Sequence, residues 1–157
     1  MLMKRDELQC TVGPDGRLYA IGGYGCQKPD DPIECLSQAE RFDFALGQWE
    51  TLPPMTDNRR ALAVVAMPDG IYALGGYDGQ RYLASCEKFC LMTNKWVRLA
   101  PMQTARCTLS AVASSDCQWL YVLGGYNGQA LDVVERYCVL TDEWEYCEPM
   151  LTKRFMH

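Results

Sequence analysis

The chain repeats itself three times, and each unit of such a chain must bury its apolar face against a neighbouring copy. Ala-Ile-Gly22-Gly23-Tyr24, Ala-Leu-Gly75-Gly76-Tyr77 and Val-Leu-Gly124-Gly125-Tyr126 stand 53 and then 49 positions apart. Other landmarks keep that phase. Glutamate, a basic residue and an aromatic recur as Glu40-Arg41-Phe42, Glu87-Lys88-Phe89 and Glu135-Arg136-Tyr137. A tryptophan follows each, at Trp49, Trp96 and Trp144, and then a Pro-Met pair at Pro54-Met55, Pro101-Met102 and Pro149-Met150. Four residues past each of these methionines comes an arginine, Arg59, Arg106 or Arg154, and Met1 stands in the same relation to Arg5.

Inside a unit the apolar residues alternate with period two and turn signals separate the runs, which predicts four short antiparallel strands and no helix. In the second unit the strands are expected over Ala61–Ala66, Ile71–Gly75, Ala84–Leu91 and Lys95–Ala100. Asp78-Gly79 and Asn127-Gly128 supply the positive φ of tight turns. Each glycine pair ends a second strand, where a bend or close backbone approach excludes a Cβ. Four-stranded units of about 50 residues pack radially around a channel. The expected fold is therefore all-β, a partial β-propeller of three four-stranded antiparallel blades. The expected units are 1–54, 55–101 and 102–149, with 150–157 opening a further one. Trp49, Trp96 and Trp144 are assigned to packing between blades, and Glu40, Glu87 and Glu135 to cross-strand pairing with basic neighbours.

The set Gly75-Gly76-Tyr77, Glu87-Lys88-Phe89, Trp96 and Pro101-Met102 through Arg106 resembles the Kelch repeat, and the likeness recurs in phase over nearly the whole chain. The Pro-Met-x-x-x-Arg junction is most similar to the propellers of BTB-Kelch proteins. That resemblance implies Kelch blades that capture a protein substrate for ubiquitination, with cullin-3 engaged only through BTB and BACK regions that this sequence does not contain. Other Kelch-repeat proteins bind actin as scaffolds, and the sequence does not separate the two. Family propellers usually have six blades. Three would leave two faces open, so the expectation is a segment of a longer propeller, a dimer, or self-association.

The resemblance places two loop sets on the binding face. One starts at Tyr24, Tyr77 and Tyr126; the other ends at Arg59, Arg106 and Arg154. Tyrosine and arginine are common interface anchors and suit an acidic or carboxylate-bearing peptide. A residue repeated in every unit can equally serve the fold, and each arginine could bond to the backbone of an adjacent blade. The loop 24–37 is longer than its counterparts and carries Asp30, Asp31 and Glu34, which reads either as a specific contact or as a tolerated insertion. Trp119 has no counterpart in the other units and is assigned to blade-edge packing.

Composition narrows the function classes. Twenty acidic against 15 basic residues give a formal charge of -5, with no Lys/Arg run of the kind that marks nucleic-acid or membrane binding. Met1 to Glu7 turns charged at once, and the run Ala61 to Met67 is too short to span a bilayer. A cytosolic or nuclear location is expected. The nine cysteines form no Cys-x-x-Cys pair and read as reduced thiols, several of them, Cys10, Cys90 and Cys138 included, placed in apolar alternation as small buried hydrophobes. Cys26 and Cys35 share one loop, where they could form a redox pair or half a metal site. A copper oxidase of the kind some Kelch-type propellers form needs several imidazoles, and His157 is the single histidine. No phosphate loop or nucleophile elbow occurs. No catalytic residue, metal site or cofactor is expected.

Overall fold

The computed structural model describes residues 1–26 and 31–156. Lys28 and Asp30 of the long loop and His157 lie outside them. Fifteen strands run through the described residues, with no helix among them. Strands β2 (Gln9–Val12), β3 (Leu18–Ile21), β6 (Ala39–Asp43) and β7 (Gln48–Leu52) form one antiparallel sheet in that order. Strands β8 (Ala63–Met67), β9 (Gly70–Leu74), β10 (Cys86–Cys90) and β11 (Lys95–Leu99) form the second. The third holds β12 (Ser110–Ala113), β13 (Trp119–Leu123), β14 (Val134–Cys138) and β15 (Glu143–Cys147). A small three-stranded sheet joins β1 (Arg5–Asp6), β4 (Tyr24–Gly25) and β5 (Glu34–Cys35) at the base of the long loop.

The sheets stack face to face, with their first strands as neighbours: β8 contacts both β2 and β12. The middle sheet is covered on both sides, so β9 reads Gly-Ile-Tyr-Ala-Leu with every residue buried. Strand alternation then divides the side chains. Ile71 and Ala73 enter a core with Tyr19, Ile21, Met55 and Leu62 of the first unit and its junction. Tyr72 and Leu74 enter a second core with Met102, Leu120, Val122, Tyr137 and Trp144. Each such apolar side chain taken fully from water contributes roughly 1.5–3 kcal/mol.

The repeated aromatics pair across strands in register. Phe42 faces Trp49, Phe89 faces Trp96 and Tyr137 faces Trp144, with ring centroids 5.2–5.3 Å apart. The indole N–H of Trp96 donates to Pro53 O and that of Trp144 to Ala100 O, both at 2.9 Å, so each tryptophan also ties its sheet to the junction before it. A second device escaped the sequence reading. Tyr19, Tyr72 and Tyr137 are buried, and their hydroxyls donate to Asp15, Asp69 and Asp142 in nearby turns.

Trp119 begins β13 opposite Cys138, with the Arg136 guanidinium 4.3 Å over its ring. All nine cysteines are free; Cys86 is buried and its thiol is pushed up to about 12 by burial. Cys35 is buried and Cys26 half-buried, and no group of three or more His, Cys, Asp or Glu gathers among the described residues to hold a metal ion. No helix of the described residues is long and apolar enough to cross a membrane.

Candidate functional site

The glycine pairs hold the site's frame. Gly75 and Gly76 sit at φ +60° and +108°, a region open to glycine at little cost. A Cβ on Gly76 would lie 2.8 Å from Arg60 O, so the approach of the next segment also demands glycine there. The N–H of Gly23 donates to Arg59 O, that of Gly76 to Arg106 O and that of Gly125 to Arg154 O, each at 2.9 Å. The backbones of Arg59, Arg106 and Arg154 are thereby pinned to the sheets they have just left.

The side chains of Arg59 and Arg106 go to the following sheet. Arg59 Nη1 donates to Gly75 O and Ser85 O at 2.8 and 2.9 Å, and Nη2 donates to Glu87 Oε1 at 2.9 Å. Arg106 repeats this with Gly124 O, Val133 O and Glu135. Arg5 Nη1 donates to Gly22 O and Gln38 O, and its Nη2 forms an ion pair with Glu40 at 3.1 Å. The glutamates are equally committed: the N–H groups of Thr56 and Asp57 donate to Glu87, and those of Gln103 and Thr104 to Glu135. Burial pulls Arg5 and Arg106 below the ordinary arginine value, while Glu40 and Glu135 pull the other way. Guanidinium has far to fall before it loses its charge, so these are ion pairs at neutral pH.

Two expectations are corrected by these contacts. Arg59 and Arg106 are 0% exposed, so they clamp one sheet to the next and do not present guanidinium to a partner. Glu40, Glu87 and Glu135 are 0–1% exposed and receive those arginines from the junction segment ahead of their own sheet, not from a cross-strand neighbour. Arg154 differs: it is exposed, and its Nη2 donates to Thr152 Oγ1.

The tyrosines lie at the rim. Tyr24 is 36% exposed, and Tyr77 and Tyr126 are half-buried. Each pairs through its backbone with the residue just after a junction arginine: Asp6 with Tyr24, Arg60 with Tyr77, Cys107 with Tyr126. That position changes from unit to unit, through Asp6, Arg60, Cys107 and Phe155, while its neighbours repeat. The next position holds a left-handed residue each time, Glu7, Ala61, Thr108 and Met156, at φ 47–55°. Their backbones form a chain in which Ala61 N–H donates to Glu7 O, Thr108 N–H to Ala61 O and Met156 N–H to Thr108 O. A rigid backbone course therefore displays side chains of differing chemistry.

Around Arg60 these side chains converge. The guanidinium lies 4.9 Å from the Tyr24 ring centroid and 5.3 Å from that of Tyr77. Tyr82 contacts both Tyr77 and Tyr126, at 5.4 and 5.9 Å between centroids, and Phe155 extends the row from Tyr126 at 5.5 Å. An open cavity of about 350 Å³ lies between Arg60, Tyr77, Tyr82 and Tyr126. Sequence reasoning missed Arg60 and Tyr82; the signal available was variation at fixed repeat phase.

Four-stranded antiparallel units, stacked face to face and joined by identical clamps, define a β-propeller-type repeat protein whose rim carries the variable chemistry. The comparison with protein families agrees. The Kelch motif model matches residues 9–56, 58–103 and 106–151, and the chain belongs to the Kelch repeat family. It is 36% identical over 72 residues to Kelch-like protein 8 of Caenorhabditis elegans, covering 46% of this chain and 10% of that protein. It is similar to human Kelch-like protein 28, 36% identical over 77 residues, covering 44% of this chain and 12% of the relative. With human Kelch-like protein 4 the identity is 40% over 50 residues, or 32% of this chain and 7% of the relative. The chain thus spans about a tenth of the length of the curated relatives it matches.

Proposed function

We propose that this chain is a protein-binding segment of a Kelch propeller, three blades in the units 1–54, 55–101 and 102–149 with 150–157 opening a fourth. Its rim, Tyr24, Tyr77 and Tyr126 with Arg60, Tyr82 and Arg154, meets the partner. The observation that carries this reading is the contrast between a buried clamp repeated at Arg5, Arg59 and Arg106 and a rim position that changes chemistry in every unit. Aromatic rings and arginine are the side chains most often responsible for binding energy at protein interfaces.

Within that reading, the segment is the substrate-recognition part of a cullin-3 RING ubiquitin-ligase adaptor in the cytosol or nucleus, with cullin-3 held by regions other than this chain. The Kelch-like relatives support this assignment. Co-precipitation of the longer protein carrying this segment with cullin-3 tests it, and capture is the expected result. Co-sedimentation with filamentous actin in place of cullin-3 capture would favour the scaffold alternative. Tyr82→Ala should leave cullin-3 capture unchanged while weakening the substrate.

A further inference from the structure

The Arg60 cavity has an occupant of its own. Glu7 places both carboxylate oxygens 3.1 Å from one nitrogen, Nη1, of Arg60. The pair is accessible, with side chains 31% and 44% exposed. Its geometry is also second best, because a carboxylate is held most firmly by two guanidinium nitrogens in a fork. Glu7 cannot move closer freely, since its backbone is fixed in the left-handed region and its carbonyl accepts the Ala61 N–H. Arg60 meanwhile is held by the backbone pairing with Tyr77 and by two tyrosine rings, so the cation stays in place when Glu7 swings away.

We propose that the Arg60 cavity is a subsite for an aspartate or glutamate side chain of a protein partner, and that Glu7 is an internal stand-in which the partner's carboxylate displaces. This rests on the rim being the protein-binding face. Tyr77, Tyr82 and Tyr126 form the wall against which the peptide backbone beside that carboxylate lies. A side-chain source is favoured because the existing occupant is itself a side-chain carboxylate reaching in from a neighbouring backbone.

The test is an NMR titration of the 157-residue chain, following the Arg60 Nε–Hε signal and the ring signals of Tyr82 and Tyr126. The probes are acetyl-Gly-Glu-Gly-amide, its glutamine counterpart, and acetyl-Gly-Gly-Gly with a free C-terminus. The glutamate peptide should saturate the Arg60 signal and the glutamine peptide should not. Glu7→Gln should tighten binding by about 1.5- to 5-fold, the range set by losing one competing exposed ion pair. Arg60→Gln should abolish the preference for glutamate, with an unchanged thermal midpoint showing that the fold is intact; Arg60→Lys should keep part of it. Equal shifts of the tyrosine rings by the glutamate and glutamine peptides would overturn the carboxylate subsite while leaving the rim as a peptide-binding face. Binding of the free-acid peptide alone would overturn the side-chain assignment. No shift at the rim with any probe would overturn the inference together with its premise.

Discussion

Replacing Arg106 by methionine isolates the clamp, because Arg154 occupies the same repeat position in the open. In Arg106→Met the carbonyls of Gly124 and Val133 each lose a 2.9 Å donor, and Glu135 loses its cation. Glu135 is 0% exposed and keeps only the N–H groups of Gln103 and Thr104. An unpaired buried carbonyl costs about 1–3 kcal/mol, and breaking a buried ion pair from one side costs about 3–5 kcal/mol in all, since a charge stays behind without compensation. Val133 O keeps the Gly124 N–H as a donor, and the retained N–H bonds to Glu135 and the apolar burial of methionine offset much of the carbonyl cost, so about 3–5 kcal/mol is expected. At a urea dependence near 2 kcal/mol/M the midpoint falls by about 1.5–2.5 M. Urea denaturation followed by Trp fluorescence measures this, with Trp144 reporting on the third sheet. Arg106→Lys should fall between, because an ammonium keeps the charge and loses the fork. Arg154→Met should leave the midpoint where it was. Equal midpoints for Arg106→Met and Arg154→Met would refute the clamp.

Three further outcomes follow from the same contacts. Gly76→Ala should destabilise more than Gly128→Ala, although φ is +108° and +107°, because only the first Cβ meets a backbone oxygen, with nothing within 4 Å at the second; thermal melts compare them. Alkylation at mildly basic pH, read by mass spectrometry, should reach Cys90 and Cys138 first: Thr93 and Thr141 lower their thiols by hydrogen bonding, whereas burial pushes Cys86 up to about 12. Burial, and then Asp69 and Asp142, raise the phenols of Tyr72 and Tyr137 well above the ordinary value of about 10. The folded state is the one with the raised value, so their contribution is intact below about pH 10 and is lost as pH climbs beyond it. Ultraviolet titration should show the two phenols ionising only as the chain unfolds.

Much of the fold was legible because strand period and turn chemistry are local. The second unit's strands were expected at Ala61–Ala66, Ile71–Gly75, Ala84–Leu91 and Lys95–Ala100, and they run Ala63–Met67, Gly70–Leu74, Cys86–Cys90 and Lys95–Leu99. The partners of Arg59 and Glu87 were not legible by the same means, since the contact spans 28 positions and joins a junction segment to the third strand of the sheet that follows it. Local pairing rules had offered Glu87 its own strand neighbours. Arg98 does face it in register, yet Arg98 bonds instead to Asp57. Arg60 was hidden for a different reason. A search for repetition attends to what stays constant, and Arg60 matters because Asp6, Cys107 and Phe155 stand in its place elsewhere.

The clamp has a direction. Every donor belongs to the segment before a sheet and every acceptor to the sheet itself, so the joint is head to tail and never self-complementary. An insertion or deletion of one whole unit, cut at the same phase, would rejoin an arginine to a glutamate and two carbonyls of the same kind. A cut at any other phase would strand one half of the pair in an apolar interior. Gene duplication within such a chain is therefore filtered by electrostatics: units of full length keep every pair, and others carry the cost of an unpaired buried charge.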